Sequence, residues 1–284
     1  MRDILSILLM FILVQTLGLY VGVNLVKSEQ FEILNVAPGQ DSSNPYNSLL
    51  FMVYIILGAV FLLFLIKYYK GIMIFRLLEA SIIFIASNIV FSVILFSFNV
   101  SLAFELSIIL SLALAGAKFF RPELRNLAAV LSSSGVGAIF GFSLDILPAI
   151  LLVLALSVYD ILSVFWTRHM VVMAQSLGKM NLSFAISAEK KVKRKIRVEG
   201  VEKEQEERSL LELGTGDLAI PLMLSVSAYR WGGLPSAIGV IIFSSIALFG
   251  VLTYVSKYRT FLPALPPLAI GGLFGLFVVK LLTN

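Results

Sequence analysis

A single carboxylate interrupts the apolar run Pro148-Ala-Ile-Leu-Leu-Val-Leu-Ala-Leu-Ser-Val-Tyr-Asp160-Ile-Leu-Ser-Val-Phe-Trp166. Without Asp160 the stretch reads as a membrane-spanning helix. An ionised carboxylate at the centre of such a helix costs roughly 2.5–3.5 kcal/mol, so a chain that keeps one there has a use for it. A second aspartate sits in the next apolar run, in Gly214-Thr215-Gly216-Asp217.

The rest of the chain agrees with a membrane setting. It has 284 residues, is 59% hydrophobic and only 14% charged, and its mean hydropathy is +0.97. Apolar runs long enough to cross a hydrocarbon core, about 17–25 residues, recur along its whole length. The expected fold is an all-α polytopic membrane protein with nine transmembrane helices, at about residues 4–26, 49–66, 77–98, 100–117, 126–143, 146–167, 210–228, 234–256 and 262–282. The first run is longer than a signal-peptide core and lacks a small-residue cleavage site, so it reads as a helix.

The whole chain, 1–284, is expected to form one membrane-embedded domain: helices over 1–167, a charged loop over 168–209 and helices over 210–284. In that loop, Glu189 to Arg208 reads as a solvated linker, with Lys195–Glu199 as an alternative short strand.

Basic residues set the expected orientation. Of 22 lysines and arginines, 19 fall on the N-terminal side of the membrane, ten of them in the 168–209 loop. Only Lys27, Arg230 and Lys280 fall on the other side. The positive-inside rule then puts the N-terminus and the loop in the cytoplasm and the C-terminus outside. The net charge of +5 follows from this topology, and no nucleic-acid partner is expected.

Several chemistries drop out on composition. There is no cysteine and only one histidine, His169. Thiol catalysis, thiolate metal sites and paired-imidazole zinc sites are excluded, and neither metal nor cofactor is expected.

With a sixth span ending near Trp166 and a seventh starting near Leu210, Asp160 and Asp217 each lie about seven residues inside the cytoplasmic boundary, roughly 10 Å deep. Antiparallel neighbours then bring the carboxyls together. Two aspartates at close range share one proton; the ionised one deprotonates a water while the protonated one polarises a scissile carbonyl. An embedded carboxylate pair also serves proton- or cation-coupled transport, which stays open at this point.

The other embedded acids have plainer readings. Glu79, with Arg76 at i−3, is expected to form an ion pair or to snorkel, Asp145 to be a loop or helix-cap residue and Glu212 to sit at the membrane boundary. Gly214 and Gly216 are expected to leave room for a close backbone. Pro263, Pro266 and Pro267 are expected to hold the start of the ninth span extended, with free carbonyls near Leu265.

Tyr159-Asp160, Gly214-Thr215-Gly216-Asp217 and Pro263-Ala264-Leu265, in this order on the sixth, seventh and ninth spans, resemble the signature of the presenilin and signal peptide peptidase family. Three ordered motifs cover the chain far more specifically than any one of them. The resemblance implies an intramembrane aspartyl endopeptidase with Asp160 and Asp217 as catalytic dyad, and Tyr159, Gly214, Thr215, Gly216, Pro263, Ala264 and Leu265 shaping the active site. It implies transmembrane-helix proteins as substrates, the lipid bilayer as surroundings, a cell-membrane location for a microbial homologue and no obligatory accessory subunit, with homo-oligomers open. Thr215 stands where a leucine is common. Prepilin peptidases share Gly-x-Gly-Asp but carry a lysine where Ala219 stands, and rhomboid proteases need a Ser–His pair that His169 does not complete.

Overall fold

The longest helical element, Thr215–Tyr258, has 44 residues. Straight, it would extend about 66 Å, roughly twice the hydrocarbon core. It is broken at Gly232 and Gly233, where Gly233 takes φ 71°, a left-handed conformation that glycine adopts without steric cost. The break divides it into α7 (215–231) and α8 (234–258). Pro235 falls in the first turn of α8, where its missing N–H costs nothing.

The other helices of this computed structural model are α1 (Arg2–Lys27), α2 (Tyr46–Tyr68), α3 (Met73–Ser97), α4 (Ala103–Phe120), α5 (Arg125–Ser143), α6 (Ile146–Ile161) and α9 (Leu265–Thr283). The structure describes residues 2–38, 41–69, 73–166, 185–198, 201–258 and 262–283; the expectations for His169 and Glu199 lie outside them. Among the described residues, eight helical elements are long and apolar enough to cross a membrane. With α7 and α8 taken separately, nine α-helices lie among the described residues.

The charged segment is not all linker. Strands β1 (Ala185–Val198) and β2 (Val201–Gly214) form an antiparallel hairpin, with Ile186 opposite Leu213 and Ser187 opposite Glu212. The expected start of the seventh span near Leu210 is therefore corrected. Leu210 to Leu213 belong to β2, and the helix begins at Thr215. Three leucines around Glu212 fit strand and helix alike, and pairing with β1 decides for the strand.

Small residues bring the backbones of α5 and α7 together. A Cβ on Gly137 would stand 2.7 Å from the Ala219 carbonyl oxygen, and one on Gly141 would stand 2.6 Å from that of Met223. One turn earlier, the Ser133 hydroxyl donates to the Thr215 carbonyl at 3.4 Å. Positions 133, 137 and 141 of α5 thus lie along carbonyls 215, 219 and 223 of α7, each set four residues apart on one helical face. This is the close packing that membrane helices achieve with Gly and Ser.

From the other side α1 supplies Gln15, fully buried, whose side-chain amide donates to the Leu218 carbonyl at 2.9 Å. Gly22 of α1 faces Val226 of α7, where an added Cβ would stand 2.5 Å from Val226 Cγ2. So α7 is wedged between α1 and α5. By contrast, α2 buries only Asn47, Ser48, Phe51 and Leu65.

Ion pairs tie the bundle. Glu79 of α3 meets Lys118 of α4, both buried, instead of the expected Arg76; Arg76 lies over the Phe119 ring. A carboxylate inside a bundle needs a buried cation, and α4 supplies one while Arg76 is taken up by an aromatic ring. Asp145 occupies the N-cap of α6 without a side-chain cap bond. Its carboxylate instead pairs with Arg230 at the end of α7, at 2.9 Å.

Candidate active site

Asp160 is buried near the end of α6. One residue beyond Ile161 the helix widens into a π-turn, Leu162–Trp166. Such turns release backbone groups from the regular ladder. Ser163, buried within it, takes up the Asp160 carbonyl with its hydroxyl at 2.9 Å. The Asp160 side chain meanwhile accepts the Leu265 N–H at Oδ2, at 3.2 Å.

Asp217 is half-buried in the first turn of α7. Its depth is reached by strand and not by two turns of helix, which replaces the expectation of a place seven residues into a span. The carboxylate accepts the Gly214 N–H and lies within the electrostatic reach of Asp160. Four residues on, Pro221 has no N–H to offer the Asp217 carbonyl, so the helix is locally loosened beside the carboxylate. A negative side chain in a helix's first turn also gains from the exposed N–H groups there.

The proline segment differs from expectation. Only Pro263 precedes the helix; Pro266 and Pro267 lie in the first turn of α9, where N–H groups have no intrahelical partner anyway. The Ala264 carbonyl is not free either, since it accepts the Leu268 N–H at 3.3 Å. What the segment offers the site is a donor, the Leu265 N–H. Pro263, Ala264 and Leu265 are all buried. Ala264 packs in the cluster formed by α1, the hairpin base and α7, and Leu265 in the one formed with α6 and α7. The segment therefore bridges the surroundings of the two aspartates.

The two glycines behave differently from each other. A Cβ on Gly214 would stand 3.3 Å from the Asp217 Oδ2, whereas one on Gly216 would meet nothing within 4 Å. Gly216 is exposed, and no close backbone explains it. Thr215 is held through its carbonyl by Ser133, and Tyr159 is half-buried beside Asp160, whose charge it feels. Gln15, Ser133 and Ser163 were not singled out by sequence. Their only signal is a polar residue within an apolar span. Among the described residues no group of three His, Cys, Asp or Glu side chains could hold a metal ion.

This geometry is that of two carboxylates on neighbouring helices, each fixed by one backbone N–H. Residues 8–284 match the family model described as signal-peptide peptidase, presenilin aspartyl protease. The chain belongs to that family. Its fold is similar to two solved structures of a presenilin family intramembrane aspartate protease. One, in the C222 space group, has 24% identity and a TM-score of 0.71, covering 98% of this chain and 99% of that one. The other, in the P2 space group, has 25% identity and a TM-score of 0.69, covering 98% and 97%. No curated protein sequence matches significantly. The family member described here is thus an intramembrane aspartyl protease, a hydrolase, and an integral multi-pass membrane protein.

Proposed function

We propose that Asp160 and Asp217 are the catalytic dyad and that the enzyme hydrolyses peptide bonds inside transmembrane helices of other membrane proteins. The observation that carries this reading is the pair itself. Asp160 from α6 and Asp217 from α7 lie within each other's field, and each is oriented by a backbone N–H, from Leu265 and Gly214. One proton is shared between them. The ionised carboxylate takes a proton from water while the protonated one donates a hydrogen bond to the scissile carbonyl. Water oxygen bonds to the carbonyl carbon, and the resulting tetrahedral centre expels the amide nitrogen, which leaves as an amine after accepting the proton. The dyad returns to its starting state with one proton.

A helical peptide bond is shielded by its own hydrogen bonds, so the substrate unwinds locally and needs new backbone partners. The β1–β2 hairpin, ending at Gly214 beside Asp217, offers a sheet edge for that purpose. The backbone around Leu265 is already engaged by Asp160 and by the start of α9. In this reading the N-terminus and the hairpin face the cytoplasm, the C-terminus faces outward, the protein resides in the cell membrane, and no accessory subunit is required.

The test is cleavage of a transmembrane substrate by purified protein in detergent. Asp160→Ala and Asp217→Ala each abolish turnover, and the double variant is no worse, because groups acting as one unit are not additive. Normal turnover by either folded single variant would falsify the assignment.

A further inference from the structure

Asn126 is the second residue of α5, and its side chain touches no substrate-facing group. It nevertheless makes an unusual pair of bonds. Its Nδ2 donates to the Ser187 carbonyl at 3.0 Å, and the Ser187 N–H donates to its Oδ1 at 3.1 Å. One side-chain amide here does what a residue of a neighbouring strand would do. It closes both main-chain groups of a single β1 residue.

Those two bonds fix the parity of the hairpin. In an antiparallel ladder, opposed residues alternate between pairs that exchange both bonds and pairs whose N–H and C=O point away from each other. Ser187 spends its groups on Asn126, so Ser187 and its partner Glu212 are of the second kind. Two residues along, Ala185 and Gly214 have the same parity. The Gly214 N–H must then point away from β1, and it does, donating to the Asp217 carboxylate. Two contacts at different places agree on one register.

The edges of the hairpin are consequently unequal. On the β1 edge, Ser187 is occupied by Asn126. On the β2 edge, the outward N–H and C=O of Glu212 carry no bond among the described residues, and they lie two residues from Gly214. Arg125, next to Asn126, meets the Glu212 carboxylate at 3.3 Å. Consecutive residues of α5 thus hold both members of one cross-strand pair. Beneath them Ile186 and Leu213 are buried in the cluster with Ile4, Ile7 and Phe11 of α1. A slip of one residue would turn these apolar side chains to the opposite face.

We infer that Asn126 is a positioning residue: it closes the β1 edge and sets the register of the β2 edge against Asp217, and so selects which peptide bond of the unwound substrate reaches the dyad. This rests on the protease reading above. Arg125 shares the anchoring through the strand partner, and the substrate segment takes the Glu212 position on the open edge.

The test uses the full-length enzyme in detergent, a transmembrane substrate of defined sequence, and mass spectrometry of the products. Three variants perturb the same clasp. Asn126→Ala removes both bonds. Asn126→Asp keeps the acceptor for the Ser187 N–H and loses the donor. Ser187→Pro removes the N–H from the other side, and a proline is tolerated at an edge position whose N–H points out of the ladder. Asn126→Ala and Ser187→Pro spread cleavage from the wild-type bond to its neighbours and raise KM about fivefold, the equivalent of one net hydrogen bond. Asn126→Asp falls between them and the wild type. A clasp that only stabilises the fold would lower the melting temperature and leave the cleavage positions alone, and that result, in whichever of the three variants folds, overturns the inference. A wild-type enzyme that cleaves nothing, with Asp160→Ala indistinguishable from it, overturns the protease reading instead.

Discussion

Gly137→Ala adds one methyl group at the contact between α5 and α7. The new Cβ would stand 2.7 Å from the Ala219 carbonyl oxygen and 2.7 Å from Leu222 Cδ2. Carbon and carbonyl oxygen rest at about 3.3 Å or more, so the helices must separate locally by about 0.6 Å. The obstacle is backbone, which cannot rotate away as a side-chain end can. Overpacking of this kind costs about 1–3 kcal/mol. Ala219 is two residues from Asp217 in the same helical turn, so the displacement is passed to the carboxylate. A misplacement of about 1 Å can cost a hundredfold in rate, and 0.6 Å corresponds to about tenfold. The assay measures kcat and KM for a transmembrane substrate in detergent, with thermal unfolding alongside. Gly137→Ala lowers kcat about tenfold. Gly141→Ala, whose obstacle is the Met223 carbonyl, lowers it less because Met223 lies farther from Asp217 along α7. Gly250→Ala, with nothing within 4 Å, is the control and leaves kcat unchanged. If Gly137→Ala matches the Gly250→Ala control in both rate and melting temperature, the wedge does not position Asp217 and the reasoning fails.

Leu265→Pro deletes the N–H that Asp160 accepts, at a position where the first turn of α9 tolerates proline; losing a hydrogen bond to a charged group costs about 1.5–3 kcal/mol, so kcat drops at least about tenfold below that of Leu265→Ala, which keeps the N–H. Equal rates for the two variants would show that the donor is idle. Lys118→Met removes the buried ammonium that Glu79 meets and lowers stability by about 3–5 kcal/mol in denaturation, while adding Glu79→Gln restores most of it. For topology, protease added to intact spheroplasts leaves the 168–209 segment uncut, and cleavage there from outside would reverse the proposed orientation.

Most of the architecture was legible because hydropathy reports spans directly. Both aspartates stood out for the same reason, as charges where apolar residues belong. Three features were hidden. Leu210 to Leu213 looked like the start of a span and are strand, since three leucines around one glutamate are too few to show a period. Glu79 had an obvious local partner in Arg76, yet its cation comes from Lys118, 39 residues away, and only tertiary packing shows that. The three prolines looked like one extended segment, although two of them fit a helix's first turn without strain. Gly216 belongs to a motif, but open space surrounds it, and its reason is not steric. The roles of Asn126 and Ser133 depend on which backbone lies opposite, which spacing along the chain does not encode.

The wedge around α7 also predicts where this protein can drift in evolution. On α5, positions 133, 137 and 141 face carbonyls, so the specification there is the lack of atoms, and any gain in volume is paid directly by the active site. On α2, by contrast, most side chains face outward and need only be soluble in hydrocarbon. Related sequences should therefore diverge freely along α2 while keeping glycine, alanine or serine on that face of α5. Pairwise identity near 25% is compatible with a retained fold because the two kinds of position are unequally constrained.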